Sequence, residues 1–183
     1  QTQILLGHLG VTRLNPDYVA LEVMDAILGE GVGGGFTARI PYQLRDVQGL
    51  AYTVGSSITS SVGREPGVFV SALGTDPAKE KTAVASLLKE IRRIRTAPVE
   101  EKELREAVSY LTHSFVFDFQ TNTQLASYLL ATQQYGLGYD YRRRFVEEVR
   151  KVTREDVLRV ARKYLDPEHY TLVVVGPGGG AGN

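Results

Sequence analysis

The chain changes its hydrophobic period within one short segment, and that change limits the folds it can adopt. Residues 44–54 read LRDVQGLAYTV, and from Tyr52 onward the pattern repeats at every second position. A spacing of three to four residues predicts a helix, whereas a spacing of two predicts a strand. The segment is therefore predicted to end a helix near Arg45, to turn at Gly49 and to begin a strand at Tyr52.

The remaining sequence carries both patterns, with no internal repeat and no linker that would divide it. Strands are predicted at residues 3–9, 52–62, 68–73 and 170–175, the last of them of the buried type. Helices are predicted at residues 16–28, 36–47, 76–97, 100–117, 123–135, 141–149 and 153–164. Because strands and helices do not strictly alternate, the order favours an α+β fold, with a mainly antiparallel sheet and helices packed on one face. We expect a single domain over residues 1–176 and a flexible tail over residues 177–183.

The composition excludes several classes of function. Acidic and basic residues balance at 21 each, so the chain has no basic field that would attract nucleic acid. It contains no cysteine, which excludes disulfides and thiolate metal ligands. No apolar run approaches the about 20 residues of a membrane-spanning helix. We therefore expect a soluble protein that does not bind nucleic acid and does not span a membrane.

A glycine run at residues 31–35, GVGGG, resembles a phosphate-binding loop only in composition. Such loops follow a strand, and the GxxxxGK[ST] type also carries a lysine that reaches the phosphates. The run follows a predicted helix and has no such lysine. A turn between two helices is the favoured interpretation, and a nucleotide-binding domain is a weaker alternative.

The histidines and serines do not form a recognisable catalytic pattern. No HxxEH or HExxH pairing places two imidazoles on one helix face, and the chain lacks a GxSxG nucleophile elbow. We expect three unrelated histidines, serines that face solvent from their strand, and neither a metal nor a cofactor bound to this chain. The residues concerned are His8, His113, His169, Ser56, Ser57, Ser60 and Ser61.

Arg45 and Tyr52 are the remaining candidates. A guanidinium and a phenol hydroxyl both donate hydrogen bonds and suit a carbonyl or an oxyanion. The residues alone nevertheless favour structural roles, since an arginine late in a helix complements the helix dipole and a tyrosine packs well at the start of a strand.

The segment LRDVQGLAYTV resembles the C-terminal domain of the M16 (pitrilysin-like) zinc metallopeptidases. In that family an arginine, six residues and a tyrosine occupy this place, often as LR…GLAY, and here they are Arg45 and Tyr52. The resemblance covers nearly the whole chain. It includes the opening strand, the helix that ends in a glycine-rich turn, the helical hairpin over residues 100–135, and the end VTREDV…ARKYLDPEHYTLVVVGP.

The resemblance implies a function for the two donors. In the family the HxxEH motif holds zinc in a different domain, which faces this one across an enclosed chamber. Arg45 and Tyr52 are then expected to contact the substrate backbone and to stabilise the tetrahedral oxyanion. This chain would be inactive alone, and it would have an HxxEH domain as partner, in the same precursor, as a homodimer mate or as a separate chain.

Two points stay open on the sequence. The alternative to a half-site is a non-catalytic scaffold or interaction domain of the same fold, although a scaffold does not need a matched pair of donors. The compartment is unknown, with the bacterial cytoplasm or periplasm expected.

Overall fold

Four antiparallel strands form a single sheet. The computed structural model describes residues 1–30, 38–114 and 119–177. The strands are β1 (Thr2–Leu9), β2 (Ala51–Ser57), β3 (Val68–Thr75) and β4 (Thr171–Val175). Their order across the sheet is β2-β3-β1-β4, so β2 and β4 lie at the two edges. Every pairing is antiparallel.

Helices make up most of the remaining structure. They are α1 (Tyr18–Asp25), α2 (Arg39–Pro41), α3 (Glu80–Ile94), α4 (Glu101–His113), α5 (Asn122–Gln134), α6 (Tyr141–Val149) and α7 (Arg154–Tyr164). Two π-helical segments, Ala26–Glu30 and Tyr42–Val47, continue α1 and α2, and a 3₁₀ turn at Pro77–Lys79 precedes α3. The predicted α+β class is confirmed. No helix in the described ranges is both long and apolar enough to cross a membrane.

Alternation along the strands decides which face of the sheet is covered. Ile4 and Leu6 of β1 are at most 1% exposed, whereas Leu5 between them is 48% exposed. The helices therefore pack on the face that Ile4 and Leu6 share. Fully buried side chains from both layers meet there, among them Phe69, Leu73, Leu21, Met24, Leu87 and Ile91. Burying one such side chain stabilises the fold by about 1.5–3 kcal/mol.

A buried carboxylate ends β2 earlier than the sequence predicts. Oδ2 of Asp25 accepts hydrogen bonds from the backbone N–H groups of Ile58 at 2.9 Å and Thr59 at 3.0 Å. The hydroxyls of Ser57 at 2.7 Å and Thr59 at 2.8 Å donate to the same oxygen. Because these donors turn toward Asp25, the chain leaves the sheet after Ser57.

Two predictions about exposure are wrong. Ser56 and Ser57 are buried rather than facing solvent, because Ser57 bonds to Asp25 and Ser56 lies against the backbone at Gly29. The final strand β4 was expected to be buried, yet all its residues are exposed. Among the described residues it pairs with β1 alone, at the edge of the sheet.

Some predicted features fall partly or wholly outside the described residues. These are the glycine run at residues 31–35, the first residues of the helix predicted at 36–47, the end of the helix predicted at 100–117, and residues 178–183 of the predicted tail.

Asp17 connects the start of α1 to α7 through three donors. Its carboxylate accepts hydrogen bonds from Nη1 of Arg159 at 2.7 Å, Nζ of Lys163 at 2.8 Å and the hydroxyl of Tyr164 at 2.8 Å. Burial acts to raise the pKa of Asp17, but the three hydrogen bonds outweigh it and lower the pKa to about 2. The ionised form is therefore the one that the fold stabilises.

We expect acid to weaken the fold partly through Asp17. In the unfolded chain its carboxyl has a pKa of about 3.9, so the stabilisation is complete above about pH 5 and is lost as the pH falls toward 2. Urea unfolding at intervals between pH 7 and pH 2.5 measures this loss. Asp17→Asn is the control: it should unfold more easily at pH 7 and depend less on pH below 5. Parallel pH curves for the two proteins would contradict the assignment.

Candidate functional site

Arg45 lies in the last turn of the π-helical segment Tyr42–Val47. Its guanidinium donates two hydrogen bonds to the neighbouring carboxylate of Asp46, from Nε to Oδ1 at 2.8 Å and from Nη2 to Oδ2 at 3.4 Å. This hydrogen bonding raises the pKa of Arg45 and lowers the pKa of Asp46. The ion pair with Asp46 orients the guanidinium of Arg45. The side chain of Arg45 is still 25% exposed, so a ligand can reach it.

A backbone hydrogen bond closes the turn that follows Arg45. The backbone N–H of Leu50 donates to the carbonyl oxygen of Leu44 at 2.7 Å. Gly49 has a φ of +58°, in the left-handed region where a glycine is least strained. Because residues 44 and 50 are bonded to each other, the chain that carries Arg45 runs directly back into β2.

Side chains from β3, from the 3₁₀ turn Pro77–Lys79 and from α3 bond to this turn. Oγ1 of Thr75 donates to the carbonyl oxygen of Leu50 at 2.5 Å, and Nζ of Lys79 donates to that of Gly49 at 3.0 Å. The hydroxyl of Ser86 donates to Oε1 of Gln48 at 2.7 Å. The turn is thus fixed by side chains that the sequence pattern did not connect with it.

Tyr52 occupies an irregularity in the pairing of β2 with β3. Ala51 is opposite Thr75 and Thr53 is opposite Gly74, so two steps along β2 match one step along β3. Tyr52 is the extra residue of this bulge and has no partner in the register. A bulge redirects a side chain away from the regular alternation of a strand, and bulges are frequent beside active sites.

Tyr52 is 70% exposed at this bulge. In the described part of the chain its hydroxyl makes no hydrogen bond, so it is available to a ligand. The structure therefore presents two accessible donors on either side of one fixed turn, a cation at Arg45 and a neutral hydroxyl at Tyr52. Each group is a donor that suits a carbonyl oxygen.

The histidines do not belong to the site around Arg45 and Tyr52. They were predicted to be unrelated, but two of them contact the same residue, Asp166. Nε2 of His8 accepts a hydrogen bond from the backbone N–H of Asp166 at 3.1 Å, and Nδ1 of His169 lies 3.0 Å from Oδ2 of Asp166. His113 contacts the carbonyl oxygen of Ser109 on its own helix. Over residues 1–30, 38–114 and 119–177, no group of histidine, aspartate and glutamate side chains is arranged to hold a metal ion.

Comparison with known sequences shows a family match and a similar protein. Residues 1–111 match the family described as the peptidase M16 inactive domain. The chain is 25% identical over 185 residues to an uncharacterised zinc protease of Rickettsia bellii, covering 97% of this chain and 41% of that protein. It spans about two fifths of the length of this relative.

Solved structures share the fold. A peptidase M16 inactive domain from Pseudomonas fluorescens aligns with a TM-score of 0.85 and 28% identity, over 96% of this chain and 41% of that one. A protease from Helicobacter pylori aligns with a TM-score of 0.74 and 22% identity, over 96% of this chain and 41% of that one. The match to the Helicobacter pylori protein concerns the fold alone.

Proposed function

The chain belongs to the peptidase M16 family as an inactive domain, and from this we propose that it forms the half of a peptidase site that carries no metal. In this proposal Arg45 and Tyr52 bind the backbone of a peptide substrate, and they stabilise its tetrahedral oxyanion opposite an HxxEH domain. The observation that supports the proposal is the bulge at Tyr52, an exposed residue beside the anchored turn that follows Arg45, whose hydroxyl makes no hydrogen bond to any residue the structure describes.

In this proposal the two donors differ in what they contribute to binding the peptide and its oxyanion. Arg45 keeps its charge at all physiological pH values, and its planar fork can hold one carbonyl or two neighbouring ones. Tyr52 supplies a neutral donor, which strengthens as negative charge develops on the oxygen it contacts. Thr75 and Lys79 hold the carbonyls of Leu50 and Gly49 in the turn between the two donors, so the backbone that connects them needs little reordering when a peptide binds.

The described residues offer no cluster of side chains suited to a zinc ion, so the proposal assigns the metal to the HxxEH domain. The HxxEH domain would hold the zinc and supply the attacking water. This chain's contribution is to position the peptide and to offset the charge that appears on its carbonyl oxygen. The isolated chain is accordingly expected to cleave no peptide.

Arg45→Lys tests the proposal in a complex of this chain with an HxxEH-bearing M16 domain. Lysine keeps the charge but loses the fork, so cleavage of a fluorogenic peptide should fall about 10- to 100-fold, the equivalent of one charge-assisted hydrogen bond. Arg92→Lys on α3 is the matched control, because Arg92 also forms an exposed pair with a carboxylate, that of Glu168. Equal activity of both variants at unchanged thermal stability would remove Arg45 from the site.

A further inference from the structure

A groove with a volume of about 740 Å³ runs along one face of α4. Its other wall is formed by residues 150–155, which connect the end of α6 to the start of α7. The α4 residues that line it recur at helical spacing from Glu101 to His113, so they share one face of that helix. Because a helix rises about 1.5 Å per residue, this face is about 18 Å long.

The floor of the α4 groove is apolar. Leu104 is buried there, and Val108 and Val152 are half-buried against the hydrophobic core. The groove is as large as typical ligand-binding clefts, which enclose roughly 300–1,000 Å³. An apolar floor that stays open to water on one side is a surface that a ligand can cover with a gain in free energy.

The rim of the α4 groove carries an excess of positive charge. Arginine and lysine side chains outnumber carboxylates there, although the two balance over the whole chain. The basic residues are Arg105, Arg150, Lys151 and Arg154, and the acidic ones are Glu101 and Glu155. Both glutamates lie in the first turn of a helix, where the positive end of the helix dipole offsets their charge. The groove therefore presents mainly positive charge to a ligand.

Two of the four cations are available to a ligand. Nζ of Lys151 donates to Oε1 of Glu148 at 2.7 Å, and Nε of Arg154 donates to a backbone carbonyl oxygen. The side chains of Arg105 and Arg150 make no hydrogen bond or ion pair with any residue that the structure describes. Arg105 lies on α4 and Arg150 on the opposite wall. Their guanidinium groups can thus bind carboxylates of a ligand that lies between the two walls.

The far end of the α4 groove offers a hydrogen-bond acceptor. Nδ1 of His113 lies 2.6 Å from the carbonyl oxygen of Ser109. Since a carbonyl oxygen can only accept, Nδ1 carries the proton of the neutral ring, and Nε2 is left with a lone pair. Nε2 is then able to accept a hydrogen bond from a backbone N–H of a ligand. Cationic donors, an acceptor and an apolar floor together match the groups of a peptide.

We propose that the α4 groove binds a short segment of a partner protein in which carboxylates alternate with apolar side chains. In an extended segment, successive side chains point to opposite faces, so the apolar ones would cover Leu104 and Val108 while the carboxylates reach Arg105 and Arg150. Five or six extended residues are about 17–20 Å long, which matches the length of the groove.

A fatty acid has the same charge and also an apolar chain, but the shape of the groove favours a peptide. The groove is open along one side. A hydrocarbon chain lying in it would keep part of its surface in water, whereas an alternating peptide turns its polar face to that side.

Fluorescence polarisation with the purified chain tests the groove, using a labelled hexapeptide of alternating glutamate and leucine. We expect saturable binding that weakens as salt is added, because the charges at the rim are exposed. Arg105→Glu and Arg150→Glu should each weaken it at least about 10-fold, the equivalent of one charge-assisted hydrogen bond. Lys89→Glu is the matched control, since Lys89 is an exposed cation of α3 that does not line the groove. Absence of saturable binding, or an equal loss in the control, would overturn the proposal.

A charge exchange tests whether the two arginines select the ligand. The chain with both Arg105→Glu and Arg150→Glu should bind a hexapeptide of alternating lysine and leucine more tightly than the unsubstituted chain does. Equal binding of the lysine peptide to both chains would overturn the proposal. Displacement of the glutamate peptide by an equal concentration of dodecanoate would indicate a lipid site, and would overturn the choice of a peptide.

Arg45→Glu distinguishes this groove from the proposed peptidase half-site. If Arg45→Glu abolished binding of the glutamate peptide and Arg105→Glu did not, the peptide would lie at Arg45, and the proposed groove would be wrong. The opposite result is the one expected. These measurements detect binding without cleavage, so their outcome is independent of the function proposed for Arg45 and Tyr52.

Discussion

Replacing Tyr52 by phenylalanine should lower peptide cleavage by the reconstituted M16 complex about 10²–10³-fold, the usual cost of removing one oxyanion donor. The substitution removes a single hydroxyl and keeps the ring. That hydroxyl makes no hydrogen bond within the described residues and Tyr52 is 70% exposed, so the fold should be unaffected. The loss should appear in kcat as well as in kcat/KM, because the hydroxyl acts mainly on charge that develops in the transition state.

Two controls decide how this result is interpreted. Tyr42→Phe removes a hydroxyl from another exposed tyrosine, on the first residue of the π-helical segment, and should leave turnover within a few-fold of the unsubstituted complex. Combining Tyr52→Phe with Arg45→Lys should cost less than the product of the two single losses, because both groups would serve one substrate. Full activity of Tyr52→Phe at unchanged thermal stability would favour a scaffold role for the domain.

Replacing Asp25 by alanine should destabilise the chain by about 3–5 kcal/mol, because four buried donors lose their shared acceptor and each unsatisfied buried polar group costs about 1–3 kcal/mol. Oδ2 of Asp25 accepts four hydrogen bonds, from two backbone N–H groups and two hydroxyls, all in the segment from Ser57 to Thr59. Asp25 is fully buried, so these donors would lose their acceptor in the interior. The melting temperature should fall by roughly 6–20 °C for a domain of this size.

Asp140→Ala is the matched control, because Asp140 is a half-exposed aspartate whose ion pairs with Arg143 and Arg144 lie at the surface. Its stability change should stay below about 1 kcal/mol. Urea unfolding measures the free energy of unfolding of both variants. If Asp25→Ala lost as little of it as the control, water would be replacing the carboxylate. The network would then not determine where β2 ends.

The local structure was largely predictable from the sequence. The helix predicted at residues 141–149 is α6 with the same bounds. The helix predicted at residues 153–164 is α7, and Thr153 begins it with a capping box: Thr153 Oγ1 accepts from the N–H of Asp156 at 3.1 Å, and Asp156 Oδ2 accepts from the N–H of Thr153. Such features depend on residues within one or two turns of each other, so their residue types are enough to predict them.

The sequence predicted which residues form the candidate site, but not the backbone geometry that exposes them. The spacing of Arg45 and Tyr52 follows from the sequence, and the turn between them follows from Gly49. The bulge at Tyr52 does not, since residues 51–53 include neither glycine nor proline to mark it. It results from how β2 meets β3, a strand that begins at Val68.

The sequence by itself determined the α+β class, most helices, and the two donors with their separation along the chain. The tertiary structure alone decided that β4 is an exposed edge strand, that Ser57 turns inward to Asp25, and that Tyr52 projects from a bulge. The physical reason is distance along the chain: Ser57 and Asp25 are 32 residues apart. The periodicity of a sequence shows which residues share one face of a helix or strand and whether that face is apolar. It does not show which group, distant along the chain or in a second protein, that face will contact.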